Sequence, residues 1–191
     1  MSAFASSDQK WPADWSPDGR VILYNDRDAK TETDLWALPL TGDRKPFPVV
    51  QTPFEEDEGQ FSPDGRWIAY RSNRSGRDEI YVQAFPGPAG QQQVSAEGGS
   101  QPRWRRDGKE LFYVAPDDSL MVVSIRSTAA QMLDMGRPVR LFRTRLVAGD
   151  QPKQQYAVTS DGERFLMNVV AEEVNVPPIT IVQNWTAGLK R

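Results

Sequence analysis

The sequence predicts an all-β protein built from repeated units of four antiparallel strands. An Asp-Gly dipeptide recurs four times, at intervals of 46, 43 and 54 residues. Each copy is followed by a charged residue and then by a run rich in β-branched and aromatic residues. No segment of the chain keeps the apolar period of a substantial helix. The four copies are Asp18-Gly19, Asp64-Gly65, Asp107-Gly108 and Asp161-Gly162.

The residues around each dipeptide predict a tight hairpin turn. In Ser16-Pro17-Asp18-Gly19 and Ser62-Pro63-Asp64-Gly65, proline presets φ at the second position of a type I turn, and glycine supplies the left-handed fourth position. A type I turn followed by a left-handed residue joins two antiparallel strands. The first two strands of every unit are therefore expected to meet at the Asp-Gly pair.

Two further strands are predicted after each hairpin. The four units cover approximately residues 13–51, 57–95, 101–143 and 154–185. A turn or two of helix is expected only at 127–135. The third strands are predicted at Leu35–Leu38, Ile80–Gln83, Leu120–Val123 and Ile179–Val182, and the outer strands at Phe47–Val50, Gln92–Ser95 and Val139–Phe142.

Four-stranded units repeating every 40 to 50 residues are typical of the blades of a β-propeller. Here the chain resembles the TolB-type, WD-like propeller repeats, through Trp15–Arg20 and Phe61–Tyr70. The resemblance covers essentially the whole chain and is weaker in the last two units, where Arg105-Arg106 and Thr159-Ser160 replace Ser-Pro. The tail 181–190 resembles the end of propellers that follow serine/threonine kinase or regulatory domains in many bacteria. None of the kinase motifs is present.

The ends of the chain predict how the ring closes. We expect residues 1–191 to form a single propeller or half-propeller domain. Residues 1–6 lie where an outer strand belongs but have no unit of their own, while the last unit lacks an outer strand. The N-terminal strand is therefore expected to complete the last blade, removing two open edges. Because propellers of the resembled type usually have six to eight blades, an eight-bladed homodimer is favoured over a closed four-bladed monomer. A truncated, incomplete propeller is the remaining alternative.

The composition excludes several kinds of chemistry. The chain has no cysteine and no histidine, which removes thiol nucleophiles, disulfides, Cys/His zinc sites and every catalytic triad with an imidazole base. The serine nucleophile elbow and the glycine-rich nucleotide loops are also absent. The sequence therefore predicts no catalytic residue, no cofactor and no enzymatic activity.

One acidic cluster is a candidate ligand site. Glu55-Glu56-Asp57-Glu58 directly precedes the innermost strand predicted for the second unit, near a mouth of the central channel. Calcium or a basic peptide could bind such oxygen-rich loops, although the spacing of a dedicated calcium loop is missing. The alternative is a solvated loop that protects a sheet edge. The candidate channel-mouth contacts are Asp8, Glu56, Asp57, Glu58 and Arg103.

Aromatic residues recur at fixed positions of the repeat, with Trp15, Phe61 and Trp104 at one of them. A ring of exposed aromatic side chains could bind sugars, but periodic aromatics in a propeller usually fill the space between blades. We therefore expect these three side chains, and the tyrosines at a second repeat position, to form the core.

Function is predicted only in outline. The favoured hypothesis is a non-enzymatic propeller module for protein interaction or sensing, within a larger bacterial regulatory or envelope protein. The alternatives are a lectin-like propeller that binds small ligands or glycans and the accessory propeller of a prolyl-oligopeptidase-like hydrolase. The net charge of −3 favours neither nucleic acid nor an anionic membrane, and no run of about 20 apolar residues indicates membrane insertion. The compartment is left open.

Overall fold

The computed structural model describes residues 9–87, 89–127, 132–147 and 154–169, which form fifteen β-strands and no helix. The first sheet has the order β1-β2-β3-β4 and the second the order β5-β6-β7-β8, and every pairing is antiparallel. These strands are β1 Lys10–Trp15, β2 Val21–Asp28, β3 Glu32–Pro39, β4 Phe47–Val50, β5 Glu56–Phe61, β6 Trp67–Ser72, β7 Glu79–Ala84 and β8 Gln92–Gln93.

The third sheet has one strand more than the first two. Its β11 is long enough to pair with β13 along its first half and with β12 along its second half. The strands are β9 Ser100–Trp104, β10 Glu110–Val114, β11 Ser119–Ser127, β12 Leu133–Met135 and β13 Val139–Arg143, followed by the hairpin β14 Tyr156–Val158 and β15 Phe165–Met167.

The predicted all-β fold of antiparallel four-stranded sheets is confirmed. The expectation of helix at 127–135 is wrong for Leu133–Met135, which pairs with β11 as a strand and so gains a ladder of backbone hydrogen bonds. The strand predicted at Ile179–Val182 and the complementing segment 1–6 lie outside the described residues. Within the described residues, no helix is long and apolar enough to cross a membrane.

All four Asp-Gly turns have the same backbone geometry. Gly19, Gly65, Gly108 and Gly162 have φ values of 73°, 70°, 71° and 78°. The N–H of each glycine donates to the carbonyl three residues earlier at 2.8–2.9 Å, which is the bond of a type I turn. A left-handed glycine follows the turn in each hairpin, as a three-residue loop requires.

Side chains reinforce these turns in two ways. Ser62 Oγ donates to Asp64 Oδ1 at 2.6 Å and accepts from the N–H of Trp67 at 3.0 Å, and Ser16 forms the equivalent bonds in the first unit. In the third unit Arg105 replaces the serine and binds both oxygens of Asp107, at 2.8 and 2.6 Å. The degraded third repeat therefore keeps its turn through an ion pair instead of a hydroxyl group.

The hydrophobic core lies between successive sheets. Phe61, Ile68 and Tyr70 of the second sheet pack against Leu23 and the other apolar side chains on the facing side of the first sheet. The same arrangement recurs between the second and third sheets, and between the third sheet and the last hairpin. Because the second and third sheets each bury one face against the preceding unit and the other against the following unit, the described units form a continuous array.

The repeated aromatic residues Phe61 and Trp104 are buried between successive sheets, and Trp15 is the exception. Phe61 and Trp104 are 5% and 7% exposed because each is packed against the preceding sheet. Trp15, at the same position of the first unit, is 58% exposed. Its predicted place in the core is therefore wrong: among the described residues no sheet precedes the first one to cover it.

Candidate functional site

Three of the four residues of the acidic cluster lie in a strand and not in a solvated loop. Glu56, Asp57 and Glu58 are the first residues of β5, the innermost strand of the second sheet. Glu56 is completely buried, and Asp57 is only 1% exposed. The solvated-loop interpretation is therefore wrong for Glu56 and Asp57, because the strand begins at Glu56 and both side chains are buried.

Arg71 neutralises Asp57. Arg71 lies opposite Asp57 on β6, and its Nε and Nη2 donate to Asp57 Oδ1 and Oδ2 at 2.7 and 2.6 Å. Its Nη1 donates to Asp78 Oδ2 at 2.7 Å. These carboxylates raise the pKa of Arg71 against the opposing effect of its burial. Both oxygens of Asp57 are thus committed to Arg71, which gives the carboxylate a role inside the blade.

Glu56 is held by hydroxyl groups. Its Oε1 accepts hydrogen bonds from Thr52 Oγ1 at 2.6 Å and from Ser72 Oγ at 3.1 Å. Burial raises the pKa of Glu56, and these two hydrogen bonds lower it in part. Glu56 therefore joins the loop before β5 to the end of β6. Within the described residues, no group of three or more Asp and Glu side chains has the arrangement of a metal site.

Glu58 links the second unit to the third. Its Oε2 accepts a hydrogen bond from the N–H of Gln101 at 2.5 Å, and Gln101 Oε1 accepts one from the N–H of Gln155 at 2.7 Å. Counted back from the Asp-Gly turns, these three residues occupy one repeat position. Glu58 and Gln101 also share a left-handed backbone, with φ values of 54° and 56°. An acidic or amide side chain at this position therefore accepts a hydrogen bond from a backbone N–H in the inner strand of the next unit.

A second series of inter-unit hydrogen bonds runs two residues further along the inner strands. Asp14 Oδ2 accepts from the N–H of Phe61 at 2.8 Å, and Gln60 Oε1 accepts from the N–H of Trp104 at 3.1 Å. The third unit has Arg103 at this position, and a guanidinium group has no acceptor. The second series therefore ends at Arg103.

A cavity of about 320 Å³ lies along the inner strands next to Arg103. It is lined by Trp11, Pro12, Ala13, Asn25, Asp57, Glu58, Gly59, Gln60, Arg103 and Gln154. Three polar atoms of these residues are buried and have no hydrogen-bond partner among the described residues, namely Arg103 Nε, Asn25 Oδ1 and Gln154 Oε1. Such atoms are rare in folded proteins, where buried polar groups are nearly always paired.

Charges surround the cavity without pairing directly with Arg103. Burial lowers the pKa of Arg103, while negative charge at Asp14 and Glu58 acts in the opposite direction. Burial, together with the charge of Asp57, raises the pKa of Glu58 to about 7. In the part of the chain described, no ion pair of Arg103 is found.

A larger cavity of about 860 Å³ opens between the second and third units at the hairpin turns. Its acidic residues are already paired, because Asp64 binds Arg66 at 2.7 Å while Asp107 and Glu110 bind Arg105 at 2.6 and 2.9 Å. The smaller cavity is lined by the predicted contacts Asp57, Glu58 and Arg103, whereas the carboxylates of the larger one are paired with arginines at the turns. The smaller cavity is therefore the candidate site.

The structure brings only some of the predicted contact residues together. Glu58 and Arg103 line the candidate cavity together with Asp57, whereas Glu56 lies on the other side of β5 with Thr52 and Ser72. Asp8 lies outside the described residues. Asn25 and Gln154 were not predicted. The repeat offered a signal for Gln154, since it occupies the position of Asp57 in the fourth unit, but Asn25 lies on β2 and is brought in only by folding.

Comparison with known proteins identifies the fold. No protein-family model matches the sequence. No curated protein matches it either. TolB from Acinetobacter baumannii is 17% identical with a TM-score of 0.59, covering 81% of this chain and 36% of that one. A protein assigned as TolB from Agrobacterium tumefaciens is 20% identical with a TM-score of 0.52, covering 69% of this chain and 50% of that one.

A further similar structure is a protein assigned as a 6-phosphogluconolactonase from Bacteroides uniformis. It is 15% identical with a TM-score of 0.53, and the match covers 84% of this chain and 48% of that one. The chain therefore spans half or less of the length of these three structures. These matches show that the chain folds as part of a β-propeller. Its fold is similar to that of the TolB propellers.

Proposed function

We propose that this chain is a non-catalytic propeller module that recognises another protein through the open end of its blade array. The observation that carries the proposal is the exposure of Trp15. The two side chains at its repeat position are buried by a neighbouring blade, so Trp15 presents an indole that an additional β-sheet would cover. Tryptophan is also enriched among the residues that dominate binding energy in protein interfaces.

The last described hairpin also has an apolar side chain on its outer side. Phe165 and Met167 face the third unit, and side chains alternate along a strand. Leu166 between them therefore faces away from the third unit, and it is 78% exposed. The first sheet has an exposed tryptophan and the last described hairpin an exposed leucine, so these two surfaces of two copies can bury each other in a closed two-fold ring. A second copy is therefore the partner that we propose.

The inner-strand hydrogen bonds impose one cost on this assembly. Gln155 Oε1 is buried and has no partner among the described residues, so the series through Glu58 and Gln101 is open at the fourth unit. The first unit has Pro12 at this position, and proline has no N–H to donate. Association of two copies would therefore depend on the apolar contacts at Trp15 and Leu166 and not on Gln155.

Light scattering on the purified chain tests the proposal. We expect a mass near twice 21.5 kDa. Trp15→Ser is expected to shift the chain toward the monomer. Phe54→Ser is the matched control, because Phe54 is also exposed but lies in the loop before β5. Gln155→Leu is a second variant, and we expect it to keep the dimer because Gln155 does not contribute to the association. A mass near 21.5 kDa at all concentrations, or a dimer unaffected by Trp15→Ser, would overturn the proposed assembly.

A glycan is the competing ligand for an exposed indole, because sugars stack on aromatic rings. A panel of neutral and acidic oligosaccharides in a thermal-shift assay tests this alternative. A saturable rise in melting temperature that Trp15→Ser abolishes, from a chain that is monomeric by light scattering, would favour the lectin-like function over association between copies.

A further inference from the structure

We propose that the outer edge of β13 binds an extended acidic peptide of another protein as an additional strand of the third sheet. Acidic side chains of the peptide would lie beside Arg140 and Arg143, and apolar side chains beside Val139 and Phe142. This surface is separate from Trp15 on the first sheet and from the candidate cavity. The inference therefore does not rest on the association of two copies proposed above.

The first argument is that β13 leaves one edge of the third sheet open. β13 pairs with β11 along one side, and no other described strand pairs with it. Such an edge presents backbone N–H and C=O groups with which a further strand can pair. Addition of a peptide strand to an exposed sheet edge is a recurring mode of peptide recognition. All five residues of β13 are exposed, so the described parts of the chain leave this strand accessible.

The second argument is that the outer strands of the first two sheets are protected, whereas β13 is not. β4 has Pro48, which lacks an N–H and is typical of a strand that ends a sheet. β8 has only two residues, and a very short edge strand offers few hydrogen bonds to a partner. β13 has five residues and no proline. Among these three outer strands, β13 is therefore the one suited to receive a peptide.

The third argument is that the two faces of β13 differ in chemistry. A bulge aligns Arg140 with Met121 and Phe142 with Leu120, and consecutive residues of β11 face opposite sides of the sheet. Arg140 therefore lies on the side of the second unit, where it lines a cavity of about 630 Å³ together with Met121. Phe142 lies on the side of the fourth unit, where its ring centroid is 5.7 Å from that of Phe165.

The arginine side of β13 has little charge compensation. Arg143 is aligned with Ser119, which lines the same cavity as Arg137 and Arg140. Arg140 is 3.7 Å from Asp117, but both side chains are more than half exposed, and an exposed ion pair contributes little to stability. Within the described residues, no ion pair involves Arg137 or Arg143. An acidic partner could therefore pair with these arginines without breaking a strong interaction.

Charge also selects a peptide over a second copy of this edge. The carboxylates that line the cavity are Glu97 and Asp117, so the three arginines leave this side with a net positive charge. If the β13 edges of two copies paired about a two-fold axis, both arginine sides would lie on the same face of the joined sheet. Like charges opposite each other in a sheet are destabilising. A strand with acidic side chains on this face would instead be attracted.

The alternation of β13 specifies the sequence pattern of the peptide. Apart from the bulged Leu141, apolar and basic residues alternate along the strand, and cross-strand neighbours share a face. Acidic residues of the peptide would therefore be separated by residues that lie beside Val139 and Phe142. These two side chains are 57% and 42% exposed, so apolar residues of a peptide would cover them. The complementary peptide alternates acidic and apolar residues.

Fluorescence anisotropy with short labelled peptides tests the proposal. The probe is the blocked hexapeptide Val-Glu-Phe-Glu-Val-Glu, and its matched control, Glu-Glu-Glu-Val-Phe-Val, has the same composition without the alternation. We expect saturable binding of the alternating peptide and about tenfold weaker binding of the control. Equal binding of the two peptides, or no saturable binding of the alternating one, would overturn the proposal.

Backbone methylation separates strand pairing from attraction of charge alone. A strand offers the N–H groups of alternate residues to each of its edges, so one further peptide is N-methylated at its apolar residues and another at its glutamates. We expect one of these peptides to bind like the unmodified probe and the other to lose binding. Equal binding of both, or loss of both, would overturn strand addition. Tighter binding of an oligothymidylate than of the alternating peptide would assign the basic strand to nucleic acid instead.

Variants locate the binding on β13. Arg140→Ser combined with Arg143→Ser should weaken binding of the alternating peptide about tenfold. The matched control, Arg27→Ser combined with Arg106→Ser, removes two exposed arginines elsewhere and should leave binding unchanged. Trp15→Ser should also keep the peptide, which separates this inference from the association of two copies. Unchanged binding by the chain that lacks Arg140 and Arg143 would overturn the proposal.

Discussion

Glu58 accepts a hydrogen bond from the backbone N–H of Gln101 at 2.5 Å, across the boundary between the second and third units. Gln101 repeats this relationship toward Gln155 with an amide in place of the carboxyl group. The same bond between units is thus made once by an ionisable side chain and once by a neutral one. Gln101 therefore shows that glutamine can make this hydrogen bond at the repeat position of Glu58.

Glu58→Gln is expected to stabilise the protein at alkaline pH. The pKa of Glu58 is raised from 4.5 to about 7, so the folded protein holds this proton more tightly than the unfolded chain does. The resulting stability is complete below pH 4.5 and is lost as the pH rises through about 7. At pH 8 the variant should therefore exceed the wild type by about 1–3 kcal/mol, with little difference at pH 4.

Urea denaturation at the two pH values measures this effect. Glu97→Gln, at an exposed glutamate, is the control and should leave the free energy of unfolding nearly unchanged at both. A Glu58→Gln protein that is less stable than the wild type at pH 8 would contradict the buried environment assigned to Glu58.

Arg71→Met is expected to destabilise the fold by about 3–5 kcal/mol, because it leaves the buried carboxylate of Asp57 without its cation. The side chain of Asp57 is only 2% exposed, so the variant would leave its carboxylate in a largely buried environment. Adding Asp57→Asn to Arg71→Met should recover a large part of the loss, since the uncompensated charge is removed. Equal stabilities of the single and double variants in urea denaturation would contradict this pairing.

Gly65→Val is expected to cost about 1–3 kcal/mol, because φ at this position is 70° and β-branched residues are excluded from the left-handed region. Gly65→Asn is the matched variant, since asparagine tolerates this conformation and should cost much less. A Cβ atom at Gly65 would lie 3.7 Å from Pro17 Cδ, which is an ordinary contact, so the difference would measure backbone strain. Thermal unfolding of both variants checks the order, and equal melting temperatures would contradict it.

Phe61→Ala and Trp15→Ala are expected to differ although both residues occupy one repeat position. Phe61 is buried between the first two sheets, and its loss should cost about 3–5 kcal/mol. Trp15 is exposed, so its loss should change the stability of the monomeric chain by about 0.5 kcal/mol or less. The two variants are compared by urea denaturation, at a protein concentration where light scattering shows monomers. Equal losses in the free energy of unfolding would show that Trp15 is covered.

Local sequence was sufficient to predict the hairpins and most of the strands. The Asp-Gly turns depend on a left-handed glycine and a few neighbouring side chains, all within about six residues of each other. Repeating this local signal four times was enough to predict the sheets and the propeller class. Even the third turn, which lost its serine, is kept by the neighbouring pair Arg105 and Asp107.

The environments of the charged and aromatic residues depend on how the units pack together. Whether Asp57 faces solvent depends on Arg71, and whether Trp15 is buried depends on a neighbouring sheet, so neither follows from local sequence. The environment of Arg103 depends in the same way on Asn25 and Gln154, which are far from it along the chain. Burial and charge pairing are properties of the space between units, and that space exists only after the units have packed together.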